Sequence, residues 1–206
     1  MFKRLPDLRH KIIKLLKLFC SFSDEGEDKL LLQIFQSRGI RKGTYLDIGA
    51  YSPWKVSNTF LLYIWGWKGT CIDITPKWKW KLRPRDKYIY GYVDADSSYK
   101  FKNRMWTSDI KMAQMEMSSG FKPEVTKNIP KIDVSELPTG YTLLDLDVDG
   151  IDLRIIKKLL SIYKPPFILA EDKALQVQEG IYDFLISEGY RRIANTTRNG
   201  IYEMVG

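Results

Sequence analysis

Between Thr44 and Asp73 the chain reads TYLDIGAYSPWKVSNTFLLYIWGWKGTCID, and this stretch limits the possible folds most. Thr44 to Ile48 is a short apolar run rich in β-formers, closed by a turn at Gly49. Ser57 and Asn58 are good N-caps for a helix through Tyr63, which Gly66 breaks. A second β-type run, Gly69 to Ile72, ends on Asp73. A strand, a glycine turn, a helix and a second strand form one βαβ unit. Gly49 lets backbone and ligand approach closely, because glycine lacks a Cβ. Asp73 follows Asp47 by 26 positions, at the tip of the neighbouring strand, where a carboxylate can accept both hydroxyls of a ribose. The dinucleotide pattern G-x-G-x-x-G is incomplete, since only Gly49 is present and Ala50-Tyr51-Ser52-Pro53 would obstruct a pyrophosphate. A nucleoside ligand without a pyrophosphate, such as S-adenosylmethionine, suits the loop better. An ordinary βαβ unit with a turn glycine gives the same pattern.

Strand-like and helix-like segments continue to alternate, which predicts an α/β fold: a doubly wound, mostly parallel Rossmann-like sheet with helices on both faces. Helices are expected over Glu27 to Ser37 (capped by Ser23 or Asp24), Leu153 to Tyr163 and Leu175 to Glu188. Strands are expected over Tyr88 to Val93, Ile132 to Leu137, Tyr141 to Leu146 and Phe167 to Ala170. Tyr190 to Ala194 and Gly200 to Val205 read as a closing antiparallel hairpin. The Met-rich part of Ser97 to Gly140, with Met105, Met112, Met115 and Met117, reads as a lid or as ordinary packing.

With 206 residues the chain fits one domain, 23–206, preceded by a basic amphipathic helix at 1–22. In that leading stretch Leu8, Ile12, Leu15, Leu16 and Phe19 recur at helical spacing with Lys11, Lys14 and Lys17 between them. It suits an anionic membrane surface, packing on its own domain, or a homo-oligomer contact. No run is long enough to span a bilayer, and Lys residues interrupt any signal-like segment, so a cytoplasmic location, peripheral to a membrane at most, is expected. The net charge of +8 favours anionic partners, nucleic acid included. Lys77 to Lys87 holds six positive residues with Trp78 and Trp80, a pattern that grips sugar rings or bases, or that docks its Trp residues on the core. Cys20 and Cys71 make no disulfide framework. His10 is the single histidine and lies outside the domain, which removes histidine-based metal sites and Ser-His or Cys-His catalysis from it.

A carboxylate cluster, Asp145, Asp147, Asp149 and Asp152, closes the Tyr141 to Leu146 strand. DLDVDG imitates the start of an EF-hand loop but places Ile156 where the bidentate Glu belongs, and follows a strand. Asp145 and Asp147 form the candidate pair for a divalent cation held through oxygen. Glu171 and Lys173 end the next strand.

Several of these segments resemble, in order, those of FkbM-type methyltransferases: GEDKLLLQIF at Gly26 to Phe35, DIGAYSP, SNT, GWKGTCID, and LLDLDVDGIDL at Leu143 to Leu153. The resemblance covers about residues 23–205. It implies S-adenosylmethionine as cofactor and O-methylation of a sugar hydroxyl on a glycan or glycoconjugate. Carried over residue by residue, it implies cofactor contacts at Glu27, Asp47, Gly49, Ala50, Ser57, Asn58 and Asp73, with Asp94 near the adenine. Asp147 matches the family's D-V-E-G aspartate, whereas Asp145 stands where many members have Lys. With no histidine available, Asp147, Asp145 or Glu171 is the expected base, aided by Lys173. Two other readings remain. One is RNA cap ribose methylation through a Lys-Asp-Lys-Glu tetrad of Lys29, Asp145, Lys173 and Glu203. The other is a non-catalytic module that binds glycan or membrane.

Overall fold

A computed structural model describes residues 21–75, 77–93, 99–101, 105–107, 123–125, 129–148, 151–172 and 180–206. Helix α1 (Glu27–Ser37) turns Leu31, Leu32 and Phe35 inward. Its N-cap is Gly26 at φ +91°, and the Ser23 hydroxyl accepts the amides of Gly26 and Asp28. The βαβ unit follows as β1 (Thr44–Ile48), α2 (Phe60–Ile64) and β2 (Lys68–Asp73). The helix is shorter than its sequence suggests. Its N-cap is Thr59, because the side chains of Ser57, Asn58 and Thr59 are drawn into the interior instead of capping the helix end.

After a 3₁₀ turn at Lys77–Leu82 comes β3 (Lys87–Tyr90). The expected Tyr88 to Val93 strand is two strands. The chain turns at Gly91, where a Cβ would stand 2.7 Å from the Pro130 carbonyl oxygen, and β4 (Tyr92–Val93) leaves the main sheet to pair with β8 (Lys131–Ile132). Within the Met-rich part, β5 (Tyr99–Phe101), β6 (Met105–Thr107) and β7 (Pro123–Val125) make a small antiparallel sheet. Met112, Met115 and Met117 lie outside the described residues, as do the leading stretch 1–20, Asp94, Asp149 and Lys173. The expected strand from Ile132 is mostly a 3₁₀ turn, Val134–Glu136, capped by the Asp133 carboxylate on the Ser135 amide. Then follow β9 (Leu143–Leu146), α3 (Asp152–Ile162), β10 (Phe167–Glu171), α4 (Ile181–Ser187), β11 (Tyr190–Asn195) and β12 (Asn199–Met204).

The main sheet has seven strands in the order β11-β12-β10-β9-β1-β2-β3. The five central and edge strands from β10 to β3 are parallel, and β12 runs antiparallel between β10 and β11. One face of alternating residues, including Leu46, Ile48, Leu144, Leu146 and Ile168, packs on Ile155, Ile156 and Leu159 of α3 and Ile181 of α4. The other, including Tyr45, Cys71, Leu143 and Leu169, packs on α1 and α2. From β1 the chain winds outward to β2 and β3 on one side, and β9 and β10 occupy the other. The direction of winding thus reverses between β1 and β9, where open α/β sheets form a crevice at the carboxyl ends of their strands.

Candidate functional site

At that reversal point three strand ends are tied together by backbone bonds. The Gly49 and Ala50 amides donate to the Ile72 carbonyl, at 3.0 and 3.2 Å, and the Asp147 amide donates to the Ile48 carbonyl at 3.0 Å. Gly49 has φ +86°, and a Cβ there would fall 1.7 Å from the Asp147 carbonyl oxygen. The close approach that this glycine permits is therefore to the chain's own backbone.

Asp73 sits at the carboxyl tip of β2, as its spacing predicts, and is half-buried. One carboxylate oxygen accepts the Tyr51 amide at 2.9 Å and the other the Thr75 amide at 2.7 Å. Burial raises its pKa, while these two amides work against the rise. The group is held rigidly beside the Gly49 turn. The loop that follows is strained, for Tyr51 (φ +46°) and Val56 (φ +52°) both occupy left-handed backbone. For a β-branched residue that conformation is a genuine outlier, and such strain collects at functional loops.

Asp47 and Asp145 are direct neighbours on β1 and β9, and both are buried. Sequence order pairs Asp145 with Asp147, whereas the strand register makes Asp47 its cross-strand partner. Burial pushes the Asp47 carboxyl up to about 7, against the pull of Arg83 and the Thr59 bond. Asp145 is raised well above the carboxylate range, first by burial and then by the charge of Asp47. Each has a single short-range donor from the S-N-T segment. Thr59 Oγ1 donates to Asp47 at 2.5 Å, and Asn58 Nδ2 donates to Asp145 at 3.2 Å. Ser57 is buried and accepts from Arg83 at 3.4 Å. The three residues are thus wired to three interior groups.

Arg83 is the centre of that wiring and was counted, from sequence, only as one charge in a basic run. It is 1% exposed. It pairs with Asp86 at 2.6 Å and donates to Tyr45 Oη at 2.6 Å, Thr59 Oγ1 at 3.1 Å and the Pro53 carbonyl at 3.3 Å. The rings of Tyr63, Trp80 and Tyr45 lie 5.2 to 5.5 Å from its guanidinium carbon. Asp86 in turn accepts from Tyr45 Oη and from the Gly69 amide. Of the two tryptophans in this run, Trp80 is buried and stacks on Tyr88, whereas Trp78 is exposed.

Asp147 is exposed at the crevice, two residues beyond Asp145. Surrounding protein raises its carboxyl; Arg198 draws it down, and Glu27 and Asp24 push it up. Arg198 lies in the β11–β12 turn, pairs with Asp24 and Glu25, and feels the charges of Glu171 and Asp147. No motif marked it, because it reaches the site through the hairpin. Glu27 is buried at the start of α1, where its carboxylate accepts from Thr196 at 3.0 Å and Asn199 at 2.9 Å. Glu171 is buried at the end of β10. Beside it, Asp172 Oδ2 accepts from Arg192 and Tyr202, and Oδ1 is buried with no partner among the described residues.

Among the described residues no three His, Cys, Asp or Glu side chains come together as a metal site. Of the Lys29, Asp145, Lys173 and Glu203 tetrad considered for RNA cap methylation, Lys173 lies outside the described residues. Glu203 lies in register with Phe167 at the amino end of β10, held by Arg38 and Arg191, two strands away from Asp145.

No protein-family model and no curated protein matches the chain. Among solved structures it is similar to a candidate RNA methyltransferase from Pyrococcus horikoshii, with 12% identity over 96% of this chain and 98% of that one and a TM-score of 0.47. It is also similar to an O-methyltransferase from Bacillus cereus in complex with SAH, with 11% identity over 98% and 93% of the two chains and a TM-score of 0.48.

Proposed function

We propose that the chain is an S-adenosylmethionine-dependent O-methyltransferase whose acceptor is a sugar hydroxyl. The observation that carries the cofactor is Asp73. It is a carboxylate fixed by two backbone amides at the tip of β2, beside a glycine turn at the point where the winding of the sheet reverses. Asp73 would hold the ribose hydroxyls, and the Gly49 to Tyr51 backbone would line the cofactor's other side. The motif resemblance supports the same assignment, and the sugar acceptor rests on that resemblance alone.

The bound cofactor supplies a methyl group on a sulfonium. The chain's own residues must then bring an acceptor oxygen to about 3 Å from it and take a proton. Asp147 suits the proton, being exposed at the crevice with a raised carboxyl. Asp145 and Asp47 are enclosed and serve the frame of the site. Arg198, across from Asp147, balances the local negative charge.

Isothermal titration with S-adenosylmethionine tests the reading directly. Binding to the wild type is expected, with Asp73→Ala weakening it by about 1.5–3 kcal/mol, the worth of hydrogen bonds to a charged group. Heat that is absent for the wild type would leave the non-catalytic module as the better account. Asp147→Asn keeps the shape and removes the charge, so turnover should drop by roughly 10²–10⁴-fold with cofactor affinity nearly unchanged. A collapse of cofactor binding in that variant would place Asp147 on the donor side instead.

A further inference from the structure

Among the described residues, five of the ten exposed large apolar side chains lie on two segments. The strained loop after β1 presents Tyr51, Trp54 and Val56, and the 3₁₀ turn after β2 presents Trp78 and Leu82. Trp78 is 65% and Leu82 63% exposed. The two segments are joined to each other by the hydrogen bonds of Arg83 to the Pro53 carbonyl and the Ser57 hydroxyl, and by the Asp73 carboxylate on the Tyr51 amide. They therefore form one rim, held outward by a buried scaffold. Lys55 and Lys81 are exposed within it, and Lys79 lies 5.8 Å from the centre of the Trp78 ring.

We propose that this rim is a docking surface for an anionic lipid membrane. Tryptophan and tyrosine settle at the level of lipid headgroups, and lysines among them gain from anionic lipid. The aliphatic members decide against nucleic acid or free glycan. Leu82 and Val56 offer no ring to stack on a base or sugar, whereas an acyl layer takes them in directly.

The entry of the chain points the same way. Phe22 packs edge-on against Phe60 at 4.8 Å, and its carbonyl accepts the Ser57 amide at 2.7 Å. Residues 1–20 therefore join the domain beside the rim. That stretch holds six Lys or Arg against one Asp. Its positive charge in sequence suits the same anionic surface. Membrane docking through the rim does not depend on methyl transfer being the activity.

The test is vesicle co-sedimentation of the full chain, with vesicles of phosphatidylcholine alone or mixed with phosphatidylglycerol. The wild type should partition onto the mixed vesicles and far less onto the neutral ones. A Trp54→Ser, Trp78→Ser, Leu82→Ser variant should lose about 10-fold or more in partitioning, with its circular dichroism and melting unchanged. A second variant, Lys79→Glu with Lys81→Glu, should show a weaker preference for the anionic vesicles, residues 1–20 keeping part of it, while keeping its fold. Equal partitioning of the serine variant and the wild type would overturn the proposal, as would a wild type that ignores the mixed vesicles. So would a serine variant that loses binding to a single-stranded RNA oligonucleotide but keeps its vesicle binding.

Discussion

A carboxylate's meaning in this chain depends on which neighbour it faces. Asp145 and Asp147 look alike in DLDVDG, yet one is enclosed beside Asp47 and the other opens on the crevice. Sequence shows the acids; the cross-strand register that pairs Asp47 with Asp145 is a long-range fact that spacing does not contain. The pair has a consequence for pH. Both carboxyls are raised in the folded chain, Asp47 to about 7, so the folded state keeps protons that the unfolded chain releases near pH 4. Their contribution is complete below that pH and is lost as pH climbs through the folded values. Asp145→Asn retains an oxygen to accept from Asn58 and removes both a titrating group and the like charge beside Asp47. The variant should therefore gain on the wild type as pH rises from 4 to 8, read as the difference between two urea titration series. A constant offset across that range would show that the two acids titrate independently of the fold.

Elements were most legible where local pattern and tertiary role agree. Helix α1 occupies the span that its apolar spacing marks, and the β11–β12 hairpin closes the sheet as its turn residues indicate. They were least legible where a side chain serves the interior. Ser57 and Asn58 have the chemistry of helix caps, but an enclosed arginine and an enclosed aspartate compete for them and win. Arg83 is the clearest case, because a basic run on paper conceals one guanidinium that joins β1 and the strained loop and, through Asp86, the start of β2. Removing one partner of a buried ion pair leaves the other uncompensated. Arg83→Met should accordingly cost about 3–5 kcal/mol in equilibrium denaturation. Arg83→Lys should recover only part of it, since an ammonium cannot span the same fork of acceptors. A loss below about 1 kcal/mol in the Met variant would mean that Asp86 finds its solvation elsewhere.

The molecule as a whole is two half-sheets, β1-β2-β3 and β9-β10-β12-β11, meeting along one parallel seam. The alternation of strand and helix announced that architecture. The departure of β4 at Gly91 was hidden, because the Pro130 carbonyl that crowds the glycine is remote in sequence. At the top of the seam the Gly49 turn rests against the carbonyl of Asp147, with no space for even a methyl group between them. The Gly49 turn and the Asp147 loop therefore act as the two jaws of a single clamp that has no slack. A ligand that displaces one jaw displaces its neighbour, and linkage requires the effect to be equal in both directions. On the proposed assignment the two ligands are the cofactor over Gly49 and the acceptor at Asp147, and each would feel the other through the seam.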